Sequence, residues 1–476
     1  MSGDRLRVAF VHPDLGIGGA ERLVVDAALG LQKLGHSVDI YTSHHDPGHC
    51  FEETRDGTLS VKHLVPPFPR AIAGKLHILF AHLRQLHLTL KLITRAEDAP
   101  HYDVFFVDQL STCVPLLRRF AGARVVFYCH FPDQLLANGE FVEDPARRKR
   151  GSLLKRLYRI PMDRLEEWTT GQADVILANS NFTARVFKSQ FRSIHKETRV
   201  VHPGINLSAY DAPFDPASPD ITAIQSNRPT FVSLNRFEAK KNVDLAIEAF
   251  ARFRSASRDE WTTSCRLVVA GGYDPRVEDN VATLTALTTL TAQHGLSYAI
   301  TSPSPSAIPP SAPHPADPDV LFLLNFTLAQ RTALLRAPSA LGLLYTPANE
   351  HFGIIPCEAM YCGLPVLARD TGGPTETVVE GATGWLRPGD AAVWAGVLGE
   401  MARMDGAARA RMAEAARARV EALFGMEAMA RGVEDALREA VAMGELRASS
   451  AATWLMVAWM LLGFVLAYTL APLLQS

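Results

Sequence analysis

The run Leu6-Arg7-Val8-Ala9-Phe10-Val11 is followed by Gly16-Ile17-Gly18-Gly19-Ala20-Glu21-Arg22, and then by Leu23, Val24, Ala27, Ala28 and Leu31 at helical spacing. A short apolar run, a glycine turn and an amphipathic stretch spell strand, turn, helix. The same rhythm recurs at Ser37 to Thr42, near Val104 to Val107, at Arg124 to Cys129, at Val175 to Asn179 and near Thr198 to His202. Strands alternating with helical stretches predict a parallel sheet covered on both faces, with ligands at the carboxyl ends of its strands. A dinucleotide fingerprint asks for glycine where Glu21 stands, so the turn argues against a dehydrogenase. Its N–H groups can still approach a phosphate or a substrate oxygen.

Outward from this first domain, residues 1–210, the segment 211–228 is rich in Pro, Ser, Asp and Asn without periodicity and reads as a linker. The alternation restarts over 229–420: strands at Thr230 to Leu234, Arg266 to Ala270, Asp319 to Leu324, Ala340 to Tyr345 and Pro365 to Ala368, helices at Asp244 to Ala251, Gln330 to Ala337 and Pro356 to Cys362. Residues 301–318 are dominated by Pro and Ser and read as a disordered insert. Asp317-Pro318-Asp319 within it is a formal Asp-x-Asp, but a proline-rich insert cannot preorganise a metal site. Residues 421–448 read as a helical segment. Residues 451–474 carry no charge, and since about 20 apolar residues cross a bilayer core, they read as a transmembrane helix.

The totals set limits. A chain of 476 residues holds two or three full-sized cores, and a net charge of −2 gives no global attraction for nucleic acid. Cys50, Cys113, Cys129, Cys265, Cys357 and Cys362 form no Cys-x-x-Cys, and the histidines do not cluster, so neither a disulfide framework nor a zinc site is suggested. The amino terminus offers no signal peptide, because Leu6 runs straight into the first strand.

Chemistry concentrates in Asn349-Glu350-His351-Phe352-Gly353-Ile354-Ile355-Pro356-Cys357-Glu358. As one helix, Glu350 and Glu358 would lie about 80° apart and two turns apart, a poor grip on one atom. Pro356 reads instead as the opening of a helix, with Glu350 to Ile354 a loop and Glu358 in the first turn. A helix N-terminus flanked by two carboxylates suits a phosphate joined to hydroxyls, which describes a sugar nucleotide. Arg236 and Lys241 follow the first strand of the second domain, where a fork and a point charge can neutralise a diphosphate. His130, in Cys129-His130-Phe131-Pro132-Asp133, follows a strand of the first domain.

Together the glycine turn, Arg236-x₄-Lys241 and Glu350-x₇-Glu358 resemble the retaining GT-B glycosyltransferases, over Arg7 to about Gly384. Tyr345 to Ile354, Cys129 to Asp133 and Gly271-Gly272-Tyr273-Asp274-Pro275-Arg276-Val277 look like the eukaryotic α-1,3/1,6-mannosyltransferase family of dolichol-linked oligosaccharide assembly. Asn242 departs from the glycine frequent in the wider family. The resemblance implies an α/β fold of two Rossmann-like domains facing across a cleft. It also implies mannose transfer from GDP-mannose to a mannosyl-chitobiosyl-diphosphodolichol acceptor, on the cytosolic face of the endoplasmic reticulum membrane. On the same footing, Arg236 and Lys241 would hold the diphosphate, and no metal would be required. Glu350, with the N–H groups of Phe352 and Gly353 and with Ile354, would face the mannose, and Glu358 the ribose. His130 would sit over the sugar, and Gly18 and Gly19 would line the site.

Two stretches point at a surface. Pro67 to Arg95 carries an apolar helical stripe with Arg70, Lys75, Arg84, Lys91 and Arg95 among it, equally consistent with a membrane contact and with a helix packed on the core. Arg147, Arg148, Lys149, Arg150, Lys155, Arg156 and Arg159 form a basic run that favours anionic lipid or the acceptor's diphosphate. Membrane and other transferases of the same pathway are the expected partners. The competing readings are a related lipid-linked transferase using UDP-N-acetylglucosamine, and an inactive membrane-tethered scaffold.

Overall fold

The computed structural model describes residues 5–72, 76–94, 101–138, 153–256, 259–304, 317–444, 446, 454 and 457–465. The chain divides into two compact units, Met1–Gly204 with Met426–Ser476, and Ile205–Gly425.

The first unit is built on a seven-stranded parallel sheet, ordered β3-β2-β1-β4-β5-β6-β7. The strands are β1 Arg7–His12, β2 Ser37–Thr42, β3 Ser60–His63, β4 Val104–Asp108, β5 Arg124–Cys129, β6 Val175–Ala178 and β7 Thr198–Val200. β1 and β4 are buried almost throughout, as a strand covered on both faces must be. β3 escapes the sequence reading because a short edge strand with one apolar residue, Val61, carries no periodic signal. Helix α1, Gly19–Lys33, lays Leu23, Val24, Ala27, Ala28 and Leu31 into this core. Met429, Val433, Ala436, Leu437 and Ala440 of the Met426–Ala442 helix join the same cluster. There Gly30 meets Ala430 so closely that a Cβ at Gly30 would lie 2.5 Å from the alanine's Cβ.

The second unit repeats the plan with a parallel sheet ordered β10-β11-β9-β8-β12-β13-β14. Its strands are β8 Thr230–Leu234, β9 Arg266–Gly271, β10 Tyr298–Thr301, β11 Val320–Leu324, β12 Ala340–Tyr345, β13 Val366–Arg369 and β14 Gly384–Arg387. β10, β14 and the Glu278–Gln293 helix were not expected from the sequence. In that helix only Asn280, Leu284, Leu287 and Thr291 are buried, so its threonine-rich sequence shows almost no apolar face.

Several expected boundaries move. Residues 205–210 belong to the second unit, because Ile205 bridges to Gly425 and Tyr210 packs in that unit's core. The segment 211–228 lies inside the same unit and includes a helical turn, Pro219–Thr222. The helical segment expected at 421–448 is split, since Gly406–Leu423 packs on the second core and Met426–Ala442 on the first. Thr301 closes β10, and residues 305–316 of the expected insert lie outside the described residues.

No helix among the described residues is long and apolar enough to cross a membrane. Of the span expected at 451–474, residues 457–465 are helical, and Val457 and Phe464 are buried in a cluster with Phe68, Phe80, Leu83 and Leu86. Phe80, Leu83 and Leu86 belong to helix α2, His77–Thr94. That helix is buried over most of its length, Arg84 included, and Arg84 and Arg70 both pair with Asp14. The packed reading of this stretch therefore holds, while Lys75 and Arg95 lie outside the described residues.

Candidate active site

Parallel open sheets bind ligands where the strand order reverses direction. In the second unit that point lies between β8 and β12. From the end of β8 the chain runs through Asn235 to Lys241, and from the end of β12 through Thr346 to Gly353. Lys241 Nζ lies 2.5 Å from Glu350 Oε2, and the Tyr345 hydroxyl donates to the same oxygen at 3.2 Å. Burial opposes ionisation of Glu350, but the Lys241 charge and hydrogen bond outweigh it and hold the carboxyl below its ordinary value. Thr346 Oγ1 donates to the Lys241 carbonyl at 2.7 Å, which ties the two loops together.

Glycines make these loops fit. The Gly373 N–H donates to the Glu350 carbonyl at 2.7 Å, and a Cβ at Gly373 would meet the Phe352 carbonyl. Gly271 lies equally close under Asn235, where a side chain would strike the backbone. Asn242 has φ +49°, in the left-handed region that glycine adopts freely and asparagine tolerates, which explains its departure from glycine.

Arg236 stays outside the Lys241 pairing, 63% exposed with Nη1 3.5 Å from Glu238. Glu238 also pairs with Lys240 at 3.0 Å, a partner the sequence reading missed. The helix expected to open at Pro356 begins at Ile354, with Gly353 (φ +85°) as its N-cap. Pro356 is third, where its missing N–H costs nothing. Glu358 consequently falls in the second turn, not the first, and is only 5% exposed. Arg331 Nη1 donates to both its oxygens, at 2.9 and 3.0 Å. Burial still holds its carboxyl above the ordinary value, against the pull of Arg331. The two carboxylates thus sit in different surroundings, each with its own cation.

In the first unit the strand order reverses between β1 and β4. β1 ends in His12 and β4 in Asp108, and His130 follows β5 directly. Asp108 Oδ1 lies 2.8 Å from His12 Nδ1 and Oδ2 lies 3.0 Å from His130 Nε2. Of these three residues, the sequence motifs mark His130 alone. A polar residue closing each apolar run, Val11-His12 and Val107-Asp108, was the available signal.

Gly18 is the N-cap of α1 with extended backbone, and Gly19 opens the helix. The Glu21 carboxylate folds back against Gly18, where a Cβ would displace it, and places negative charge at that helix terminus. Arg147, Arg148, Lys149 and Arg150 lie outside the described residues. The backbone of Lys155 and Arg156 lies in the Leu153–Gly171 helix. Arg159, counted in the basic run, is buried and paired with Asp133 at 2.7 Å and Asp163 at 2.6 Å, so it faces no surface anion. Asp319 accepts from Arg228 at 2.9 Å and pairs with Arg254 at 2.5 Å, while Asp317 lies 3.8 Å from both Arg228 and Arg266.

Residues 17–209 match the family described as Glycosyltransferase Family 4, and residues 320–419 that described as Glycosyl transferases group 1. The alpha-1,3/1,6-mannosyltransferase ALG2 of Rhizomucor pusillus is 51% identical over 398 residues, covering 83% of this chain and 83% of the relative. Its namesake from Saccharomyces cerevisiae is 40% identical over 448 residues, covering 92% and 86%. Among solved structures, sucrose-phosphate synthase from Thermosynechococcus elongatus matches 92% of this chain and 100% of its own, with TM-score 0.67 and 19% identity. Anabaena HepE in complex with UDP and glucose matches 91% and 100%, with TM-score 0.61 and 18% identity. At that identity the structures speak for the fold alone, two parallel-sheet Rossmann-like domains of GT-B type.

Proposed function

This chain belongs to the α-1,3/1,6-mannosyltransferase family, and we propose that it moves mannose from GDP-mannose to a mannosyl-chitobiosyl-diphosphodolichol acceptor, forming an α-1,3 and then an α-1,6 linkage. It is a glycosyltransferase of N-glycan precursor assembly. The observation that carries this conclusion is the 51% identity, over 83% of both chains, with a fungal enzyme of that name.

The geometry supports the roles as follows. An ammonium group has three donors, and Glu350 takes one from Lys241, leaving two for the donor's diphosphate. Lys241, with Arg236, stabilises charge on the departing phosphate, which is the electrostatic form of leaving-group catalysis and needs no metal ion. Glu350 Oε2 is held by Lys241 and Tyr345, so Oε1 is placed to accept from a mannose hydroxyl, beside the backbone of Phe352, Gly353 and Ile354. Glu358 accepts from the ribose hydroxyls with the lone pairs that Arg331 leaves. Retention then proceeds by front-face attack, the leaving phosphate taking the acceptor's proton. The basic run at 147–156 meets the acceptor's diphosphate or anionic lipid. The 451–474 segment tethers the enzyme to the endoplasmic reticulum membrane, with both domains on the cytosolic face.

Radiolabelled donor screening with a dolichol-linked acceptor tests the reaction. Transfer from GDP-mannose is expected, and transfer from UDP sugars alone overturns the assignment. Protease added to sealed microsomes should digest both domains; full protection would refute the cytosolic placement.

A further inference from the structure

His12 is fully buried, and both of its ring nitrogens face atoms that only accept hydrogen bonds. Nδ1 meets Asp108 Oδ1 at 2.8 Å, and Nε2 meets the Asp14 carbonyl at 3.1 Å. A neutral imidazole carries one N–H, so it would set a lone pair against one of these oxygens. Only the imidazolium satisfies both. Asp108, itself buried, is therefore paired with a cation on one side and accepts from His130 Nε2 on the other. An ionised carboxylate has no hydrogen to give, so His130 must carry its proton on Nε2. Its ring is 20% exposed, and no described residue hydrogen-bonds its Nδ1.

We propose that Asp108 and His12 are positioning residues: Asp108 fixes His130 in the Nε2–H tautomer, and the His12 imidazolium neutralises Asp108, so that His130 stays uncharged and offers Nδ1 as an acceptor to a sugar hydroxyl. The inference rests on the mannosyl-transfer reading for the ligand, though not for the proton positions. A histidine on an unneutralised buried carboxylate would instead be drawn into its charged form, and Nδ1 would become a donor.

Surrounding groups agree. Burial opposes charge on His12, yet Asp108, with Glu21 of α1 behind it, holds its pKa above the ordinary value. Burial likewise opposes charge on Asp108, and the two histidines hold its carboxyl below the ordinary value. Burial keeps the Tyr128 hydroxyl and the Cys113 and Cys129 thiols protonated. Glu166 accepts the Asp133 N–H at 2.8 Å, three residues beyond His130, and burial pushes its carboxyl up to about 7. Its titration is separated by working in a Glu166→Gln background.

The full chain labelled with ¹⁵N-histidine gives a test that needs no substrate. The His12 ring should remain doubly protonated through neutral pH, and the His130 ring should show the Nε2–H tautomer. Their signals are assigned by their loss in His12→Gln and His130→Ala. His130 in the Nδ1–H form, or His12 neutral at pH 7, overturns the proposal. Kinetics give the second arm. In His12→Gln the acid limb of the kcat profile should move up by about one pH unit as Asp108 loses its counter-ion. In Asp108→Asn, kcat should fall about 10²-fold while KM for GDP-mannose stays within about threefold. An unmoved acid limb in His12→Gln, or an unchanged kcat in Asp108→Asn, overturns it. A wild-type chain that transfers no mannose refutes the functional reading and leaves the ¹⁵N result standing.

Discussion

The two switch points handle charge in opposite ways. Between β8 and β12 each carboxylate has its own permanent cation, Lys241 for Glu350 and Arg331 for Glu358. Between β1 and β4 a single buried carboxylate, Asp108, is shared by two histidines. Lysine and arginine keep their charge across the neutral range, so the first arrangement is a fixed electrostatic frame suited to a diphosphate. Histidine does not, so the second depends on where protons sit. Polar residues at or beyond the carboxyl ends of buried strands therefore yield a constant field in one unit and a protonation-controlled contact in the other.

The largest effect that could break this contrast is at Arg331. Arg331→Ala would leave Glu358 buried without its cation, and should cost about 3–5 kcal/mol in urea unfolding. A loss under about 1 kcal/mol would show that Glu358 needs no counter-charge. Next, Lys241→Ala should lower kcat by about 10²–10³-fold, the size expected when one preorganised electrostatic donor is removed. Unchanged turnover would end the role given to Lys241. Gly373→Ala drives a Cβ into the Phe352 carbonyl and should displace the Glu350 loop. We expect a stability loss of about 1–3 kcal/mol together with raised KM for the donor. Normal kinetics would mean that the loop position is set elsewhere.

Glu166 sharpens the other side. Its carboxyl is raised from 4.5 to about 7 in the folded chain by burial. The stability it contributes is therefore complete below about pH 4.5 and lost as pH rises through 7. Wild type relative to Glu166→Gln, which keeps an acceptor for the Asp133 N–H, should lose about 2–3 kcal/mol between pH 5 and 8. A pH-independent difference would remove Glu166 from the titrating set. Smallest is Asn242→Gly, expected to change stability by less than about 0.5 kcal/mol, whereas Asn242→Val at that positive φ should cost about 1–2 kcal/mol.

Much of this was legible in the chain itself. The buried strands announce themselves as continuous apolar runs, and Thr230–Leu234 and Ala340–Tyr345 fall where the sequence places them. Lys241 and Glu350, read as parts of one site, are brought together. The edge strands β3, β10 and β14 and the threonine-rich Glu278–Gln293 helix were not legible, unlike the edge strand β7, because elements with one thin contact face need little apolar sequence. The opening of the Ile354–Tyr361 helix was missed by two residues, since proline is tolerated throughout a first turn and so marks a helix start only loosely.

The sequence by itself determined two parallel α/β sheets, the family, and the loops that carry the chemistry, because local periodicity and motif spacing are properties of neighbours along the chain. Only the tertiary structure decided which charges pair. His12 and Asp108 lie 96 residues apart, as do the two strand ends they close, and Lys241 and Glu350 lie 109 apart. A buried charge chooses its partner by distance and by exclusion from water, and strand order, which sets that distance, is written in no local stretch.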